Sequence, residues 1–160
     1  MREVVIRRAG PDDLGTLDAG LRALSLELGH EHRAGIGELT EAGLGEHPAF
    51  VGLLAEAGTD LVGVALLSPL FSTTRGAAGV YVSDLWIAAG WRGRRLGERL
   101  LAAARDEGSG RWGARFLRLG VAQDNAAARA FYERLGFAAT TDETMMTVTG
   151  PALAALEGAP

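Results

Sequence analysis

The alternation of apolar and polar positions along the chain predicts a mixture of strands and amphipathic helices. Leucines spaced three and four residues apart between Leu14 and Leu28 predict one helix, since this spacing places them on one face. The Pro-Asp-Asp sequence at residues 11–13 predicts the start of this helix, and Gly29 predicts its end. Short apolar runs rich in β-branched residues predict strands. The predicted strands are Val4–Arg8 and residues 49–56, 61–67, 80–87 and 114–121, with a final pair at 137–140 and 144–149.

The remaining segments predict further helices and loops. Helices are expected after residue 96, over residues 125–135 and, as a short element, over residues 39–44. Residues 69–79 are expected to form a loop, and the tail over residues 150–160 to fray. The resulting order of elements indicates an α+β fold in one domain over residues 1–160. No G-x-G-x-x-G motif follows a strand, which argues against a dinucleotide-binding fold.

Composition places the chain among globular proteins, with 48% hydrophobic and 22% charged residues. The absence of cysteine excludes disulfides, thiolate metal sites and a cysteine nucleophile. No apolar run approaches the roughly 20 residues of a membrane span, and the N-terminus lacks a signal-peptide pattern. We therefore expect a cytoplasmic protein that does not bind membranes. His30 and His32 are predicted to lie in a solvated loop and not in a metal site.

Charge is distributed unevenly along the chain. The net charge of −4 argues against general nucleic-acid binding. Residues 92–134 carry ten arginines and five acidic residues, whereas residues 1–60 carry eleven acidic residues and five arginines. One segment is therefore suited to an anion, and the other favours a cation.

The sharpest local feature is an arginine- and glycine-rich turn between a predicted strand and a predicted helix. It contains Arg92, Arg94, Arg95 and Arg99, together with Gly93 and Gly97. A helix N-terminus leaves backbone N–H groups unpaired and carries partial positive charge, so phosphates bind there readily. Four arginines within eight residues are expected to repel one another unless an anion is bound. From the spacing alone, a solvated basic helix start remains the alternative.

This turn resembles the pyrophosphate loop of the GCN5-related N-acetyltransferases (the GNAT superfamily), written Q/R-x-x-G-x-G/A, with Arg95 in place of the middle glycine. Residues 84–87 resemble the strand before that loop, and residues 125–137 resemble the family's N-x-x-A-x-x-F-Y-x-x-x-G-F segment. The resemblance covers most of the chain. It implies a three-layer α/β/α fold with a mixed, mostly antiparallel sheet of six to seven strands and about four helices, splayed between the fourth and fifth strands.

The resemblance also implies acetyl-CoA as co-substrate and direct attack by an amine in a ternary complex. Tyr132 is implied as the general acid that protonates the CoA thiolate, and a phenol suits this role because it stays protonated at neutral pH. The N–H of Ile87 is implied as the oxyanion donor, and Asn125 is also predicted as a helix N-cap. The implied cofactor-binding residues are Leu85, Trp86, Ile87, Arg92, Gly93, Arg94, Arg95, Leu96, Gly97, Asn125 and Tyr132.

Several residues are candidates for the base that accepts the amine proton. Asp84 lies in a strand leading to the expected cleft, where it would attract an ammonium group or help to deprotonate it. Glu133 and Glu56 are weaker candidates. An ordered chain of water molecules is the alternative to any side chain.

The acceptor is expected to be a small, cationic amine. The run from Phe71 to Gly76 and the Tyr-x-x-Asp that ends at Asp84 resemble the diamine (spermidine/spermine and thialysine) branch, although Thr74 and Ser83 replace its Trp and Glu. Aminoglycosides, peptide or protein N-termini, and CoA binding without catalysis stay open as alternatives. The family often dimerises through its last strands, here residues 140–149, so the resemblance allows a homodimer.

Overall fold

The computed structural model describes residues 2–140 and 142–156, in which chain contacts define two compact units. The first unit ends at Gly120 and the second begins at Val121. The first contains a five-stranded sheet whose strands are adjacent in chain order. These strands are β1 (Val4–Arg8), β2 (Val51–Ala57), β3 (Asp60–Ser72), β4 (Ala77–Ile87) and β5 (Leu117–Leu119). The strands pair antiparallel, except that β4 and β5 are parallel.

Helices cover both faces of this sheet. The first unit holds α1 (Leu14–Leu28), α2 (Ile36–Leu44) and α3 (Leu96–Trp112), and the second holds α4 (Ala126–Arg134) and α5 (Gly150–Ala154). Val64 on β3 belongs to a core cluster with leucines of α1 and α2. Its neighbour Gly63 lies against Leu100 of α3. Because adjacent strand residues face opposite sides, α1 and α2 cover one face and α3 the other. The predicted α+β, three-layer architecture is confirmed for this unit.

Helix α1 begins and ends as the sequence predicts. A short 3-10 turn over Pro11–Asp13 leads into it, and the Asp13 carboxylate accepts a hydrogen bond from the N–H of Gly10 at 2.7 Å. At the other end Gly29 adopts a left-handed conformation, φ 69°. The N–H groups of Gly29 and His30 then bond the carbonyls of Leu26 and Ser25, which closes the last turn.

The connection between β3 and β4 is much shorter than the predicted loop over residues 69–79. Both strands continue into that segment, and only residues 73–76 separate them. Pro69 lies opposite Val80, whose N–H bonds Phe116 and therefore points away from β3. The missing N–H of Pro69 consequently points away from β4, on the side where β2 pairs β3 only as far as Leu67. A proline costs no ladder bond there.

The sheet has fewer strands than the six to seven predicted. Described residues 137–140 and 142–149 contain no strand, and Met145 and Met146 are 87% and 89% exposed. The strand propensity of a residue reflects how well it packs against neighbouring strands. Because no described strand pairs with this segment, its β-branched residues do not form a strand. β5 is also shorter than residues 114–121, because it pairs only with Val80–Val82 of β4.

The tail and the helix count also differ from expectation. Five helices are present in the described residues, where about four were predicted, and the fifth lies in the tail that was expected to fray. Residues 157–160 of that tail lie outside the described residues. The short helix predicted over residues 39–44 starts earlier, at Ile36.

Helix α3 approaches β4 closely through a glycine. A Cβ atom added at Gly108 would lie 2.0 Å from Cγ2 of the fully buried Val80. No side chain fits in that space, so a glycine at this position lets the helix backbone reach the sheet. The contact fixes the distance between α3 and the first half of β4.

Candidate active site

Strand β4 has an unpaired edge at its carboxyl end. β5 pairs with β4 only at Val80–Val82, whereas β4 continues to Ile87. Among the described strands, residues 84–87 therefore pair with β3 alone. The predicted splay between the fourth and fifth strands corresponds to this opening.

A β-bulge determines which backbone groups face the opening. The register between β3 and β4 shifts at Leu66 and Leu67, which leaves Ser83 as an extra residue. Beyond it, the N–H of Ala88 bonds the carbonyl of Val62. Because antiparallel partners alternate between bonded and non-bonded pairs, the backbone N–H and C=O of Leu85 and Ile87 point away from β3. The N–H of Ile87, implied as an oxyanion donor, thus faces the free edge.

Asp84 and Trp86 lie on the face of β4 that α1 covers. Trp86 packs against the leucine cluster of α1, and alternation places Asp84 on the same face. Asp84 is half-buried, and its Oδ2 accepts a hydrogen bond from the Ser83 hydroxyl at 2.7 Å. Leu85 and Ile87 lie on the α3 side. All the candidate residues of this strand are therefore brought to its unpaired end.

The arginine-rich turn leads directly from this strand end into α3. Gly93 has φ 72°, and Arg95, the helix N-cap, has φ 60° and ψ 14°. Arg95 is the one non-glycine residue with positive φ in the described chain. This conformation explains the glycine that the resembling motif carries there.

The turn presents unpaired backbone donors, as predicted. The first bond of the α3 ladder runs from the N–H of Arg99 to the carbonyl of Arg95 at 3.0 Å. The N–H groups of Leu96, Gly97 and Glu98 therefore have no partner within the helix. Together with the positive end of the helix dipole, they form a suitable site for phosphate oxygens.

The four arginines of the turn repel one another less than the sequence suggested, because carboxylates neutralise two of them. Arg95 pairs with Glu98 at 2.8 Å, and Arg92 pairs with Glu27 of α1. Arg92 also donates from Nε to the carbonyl of Ile87 at 3.0 Å. An anion is therefore not required to relieve their repulsion.

The other two arginines have different surroundings. Arg99 donates to the backbone carbonyl of Val4 at 2.7 Å. Arg94 stacks over the ring of Trp91, 5.2 Å from its centroid, and has no carboxylate partner in the described chain. A surface concavity of about 360 Å³ lies beside the turn, lined by Arg94, Arg95, Glu98, Arg99 and Ala102. Arg94 is the guanidinium in this group best suited to a phosphate.

Asn125 and Tyr132 belong to the second unit. The Asn125 side chain accepts a hydrogen bond from the N–H of Ala128 at 3.1 Å, which confirms its role as the N-cap of α4. The half-buried Tyr132 ring meets the rings of Phe131 and Phe137 edge-on, with centroids 5.1 and 5.5 Å apart. Burial raises the pKa of the Tyr132 phenol above its ordinary value of about 10.

The histidine-containing loop is more ordered than the solvated loop predicted from sequence. His32 is half-buried, with Nε2 3.1 Å from Asp18 Oδ1 and Nδ1 3.0 Å from the Ser25 hydroxyl. Burial of Asp18 opposes its charge, but hydrogen bonds from Arg22 and His32 lower its pKa overall. No group of three or more metal-ligating side chains is found in the described chain, nor is any of its helices long and apolar enough to cross a membrane.

Glu27 is a residue of this region that the sequence did not single out. Its carboxylate accepts hydrogen bonds from Trp86 on β4 and from Arg92 on the turn. These partners lie 59 and 65 positions away in the chain. The one signal in the sequence was a glutamate in the last turn of a predicted helix, a turn that contains no basic residue.

A sequence model of the acetyltransferase (GNAT) family matches residues 22–137, which include both motifs described above. The chain therefore belongs to this family, the class of N-acetyltransferases that take the acetyl group from acetyl-CoA. The residues present fit this co-substrate. The unpaired amides of the turn and Arg94 suit a pyrophosphate, and the free edge of β4 suits the amide groups of the pantetheine arm.

Individual relatives agree with the family assignment. The chain is 33% identical over 97 residues to YhfO, an uncharacterized N-acetyltransferase of Bacillus subtilis (strain 168), and the match covers 61% of this chain and 64% of that protein. Among solved structures, it resembles an aminoglycoside acetyltransferase from an uncultured soil metagenomic sample in complex with sisomicin, with TM-score 0.75, 16% identity and coverage of 91% and 95%. It also resembles the aminoglycoside N-acetyltransferase AAC(6')-Iy in complex with CoA, with TM-score 0.75, 19% identity and coverage of 94% and 97%. These structural likenesses show the fold.

Proposed function

We propose that the protein transfers an acetyl group from acetyl-CoA to a primary amine of a small cationic acceptor by direct attack in a ternary complex. The amine nitrogen attacks the thioester carbonyl carbon, so that a C–N bond forms and the C–S bond breaks. Asp84 takes the amine proton, directly or through water, and Tyr132 gives a proton to the departing thiolate. The free edge of β4 running into the open N-terminus of α3 is the observation that carries this proposal.

The surroundings of Asp84 and Ile87 support their proposed roles. Asp84 is a half-buried carboxylate beside the free edge, where it would attract a protonated amine and accept its proton as a general base. The outward-facing N–H of Ile87 would donate to the oxygen that becomes negatively charged as the amine attacks. Both groups are held by the β3–β4 ladder, so their positions are fixed before substrate binds.

The environment of Tyr132 supports its proposed role as the acid. Its raised pKa keeps the phenol protonated through neutral pH, which an acid for the thiolate requires. Replacing Tyr132 with Phe keeps the two edge-on aromatic contacts and removes only the hydroxyl.

The charge distribution supports a cationic acceptor. Asp84 lies where α1 covers the end of β4, and residues 1–60 carry an excess of acidic residues. Diamines and aminoglycosides share this polycationic chemistry. The aminoglycoside acetyltransferases among the similar structures favour the aminoglycosides, while the run from Phe71 to Gly76 favours the diamines. Peptide N-termini and CoA binding without turnover are the further alternatives.

A thioester-consumption assay with acetyl-CoA tests the proposed function. The acceptor panel contains spermidine, diamines, lysine analogues, aminoglycosides and short peptides, and CoA binding is followed in parallel by thermal shift. We expect stabilisation by CoA and turnover with one polycationic class. Stabilisation by CoA without turnover on any amine favours the binding-module alternative. Lack of any CoA shift contradicts the proposed function.

Tyr132→Phe tests the general acid. We expect kcat to fall about 10²-fold, a typical contribution of general acid catalysis, while CoA affinity changes less than about twofold. In the wild type, the loss of activity at high pH should lie above the ordinary tyrosine pKa of about 10, because burial raises the pKa of the phenol, and this loss should vanish in the variant. Measurement of kcat against pH for both proteins decides the point. An unchanged kcat in Tyr132→Phe would assign the proton to water.

A further inference from the structure

The end of α1 is tied to the phosphate-binding turn through one carboxylate. Glu27 Oε1 accepts from Trp86 Nε1 at 3.0 Å, and Oε2 accepts from Arg92 Nη2. Arg92 in turn donates from Nε to the carbonyl of Ile87. The Glu27 carboxylate thus bridges the last residues of β4 and the first residues of the turn, using both of its oxygens.

The position of Glu27 in its helix is unfavourable by local rules. Glu27 is the next-to-last residue of α1, where the helix dipole is negative and a carboxylate is repelled. The last turn of α1 contains no basic residue to offset this repulsion. Residues that break a local rule are expected where function needs them, so the contacts with Trp86 and Arg92 account for the carboxylate at this place.

Packing of α1 against the sheet fixes the position of Glu27 relative to β4. Leu14, Leu17 and Leu21 are buried in the core cluster against the sheet. Gly29 closes the helix directly after Glu27 and Leu28. A carboxylate mounted on this helix therefore holds its partners in a defined position relative to β4.

We infer that Glu27 is a positioning residue for acetyl-CoA binding, which it supports by fixing Arg92 and thereby the amides of the following turn. The inference rests on the proposed use of this turn for the CoA pyrophosphate. Arg92 then serves as a tie between Glu27 and Ile87, while Arg94 and the N–H groups of Leu96 and Gly97 are left to face the phosphates.

Loss of this tie is expected to weaken CoA binding despite the removal of a negative charge. The freed Arg92 is half-exposed, so its added attraction for phosphate is screened by solvent. Without Glu27 the turn is less ordered before CoA binds, so that binding must also provide the free energy that orders it. Ordering one or two side chains corresponds to a roughly five- to tenfold loss of affinity.

The test compares Glu27→Ala and Glu27→Gln with Glu31→Gln. Glu31 is a matched control because it also pairs with an arginine, Arg33, but contacts neither β4 nor the turn. CoA affinity is measured by calorimetry, and KM is measured separately for acetyl-CoA and for the amine. We expect CoA affinity to fall roughly five- to tenfold in Glu27→Ala and less in Glu27→Gln, with the amine KM and the control unchanged.

Amide hydrogen exchange of the protein without CoA gives an independent readout. Residues 88–95 should exchange severalfold faster in both Glu27 variants than in wild type or Glu31→Gln. If wild type fails to bind CoA, the proposed function is contradicted, while the exchange rates still decide whether Glu27 positions the turn. Glu27→Gln serves if Glu27→Ala is unstable, since it keeps an acceptor oxygen.

A double-mutant cycle with Arg92→Gln completes the test. If Glu27 acts through Arg92, Glu27→Ala should change CoA affinity less than about twofold in the Arg92→Gln background. Additive effects would overturn the inference. So would unchanged or tighter CoA binding in Glu27→Ala, or a change confined to the amine KM, which would make Glu27 an acceptor-binding group instead.

Discussion

The two halves of strand β4 differ in pairing, burial and chemistry. Residues 77–82 are paired on one side with β3 and, at Val80–Val82, on the other with β5, and Val80 and Val82 are buried. Residues 83–87 are half-buried or exposed and carry Asp84 and Ile87; beyond the bulge at Ser83, they pair among the described strands with β3 alone. The same strand therefore contributes to the core at one end and to the candidate site at the other.

The difference arises from two local features. The bulge at Ser83 turns the backbone of Leu85 and Ile87 outward, and β5 ends before it reaches them. An unpaired strand edge normally invites association with another chain, and here it is kept short. Pairing on both sides holds the first half of β4 in place. The N–H groups of the second half that face away from β3 are then fixed in position but stay available to a ligand.

Asp84→Asn is expected to show the largest effect and to act on the second half alone. The amide keeps the size of the side chain but cannot take a proton, so kcat/KM for the amine should fall about 10²-fold or more. The free energy of unfolding should change by less than ~0.5 kcal/mol, because the side chain is only half-buried. Steady-state kinetics and denaturant titration measure the two quantities.

Ser83→Ala is the matched control for Asp84→Asn. It removes the hydrogen bond to Asp84 Oδ2 but keeps the carboxylate, so we expect a loss of kcat/KM of less than about tenfold. Full activity in Asp84→Asn would assign the amine proton to a water chain or to another carboxylate.

Gly108→Ala is expected to act on the first half of β4 and to leave the chemistry intact. The added methyl group collides with Val80, and overpacking of this kind costs about 1–3 kcal/mol. Gly110 on the same helix has open space around it, so Gly110→Ala should instead stabilise the protein by about 0.5–1 kcal/mol through helix propensity. Thermal unfolding of the two variants compares them directly. Equal effects would mean that α3 does not rest on Val80 through Gly108.

Arg95→Gly is expected to give the smallest effect, at the point where the second half of β4 leads into α3. Glycine adopts the left-handed conformation of this residue without strain, so the variant should be more stable by about 1 kcal/mol. The exposed pair with Glu98 that is lost contributes little. Arg94→Gly, at a position without positive φ, should lose stability instead. If Arg95→Gly loses as much stability as Arg94→Gly, the left-handed conformation of Arg95 is not strained.

Much of the secondary structure followed from local patterns. The leucine spacing of α1, its closing glycine and the cap at Asn125 depend on residues within about four positions of one another, and the structure confirms all three. The turn before α3 was likewise predicted from adjacent glycines and arginines. Family membership rests on two such local motifs, which is why sequence alone was enough to assign it.

Features that depend on distant pairing were missed. The extension of β3 past Pro69 depends on where β2 ends, and the absence of a strand over 142–149 depends on which edges pair. The neutralisation of Arg92 depends on Glu27, 65 positions earlier in the chain. Propensity scales contain none of this information, because it arises only when separate segments are brought together.

The sequence by itself determined four of the five helices in the described chain, most of the strands, the family and the candidate site residues, because these depend on short-range spacing. The tertiary structure decided which strand edge stays open, which N–H groups face it and which arginines of the turn have no carboxylate partner in the described chain. Those properties depend on register, on the bulge at Ser83 and on the contact between α1 and the turn, all of which join residues far apart in the chain.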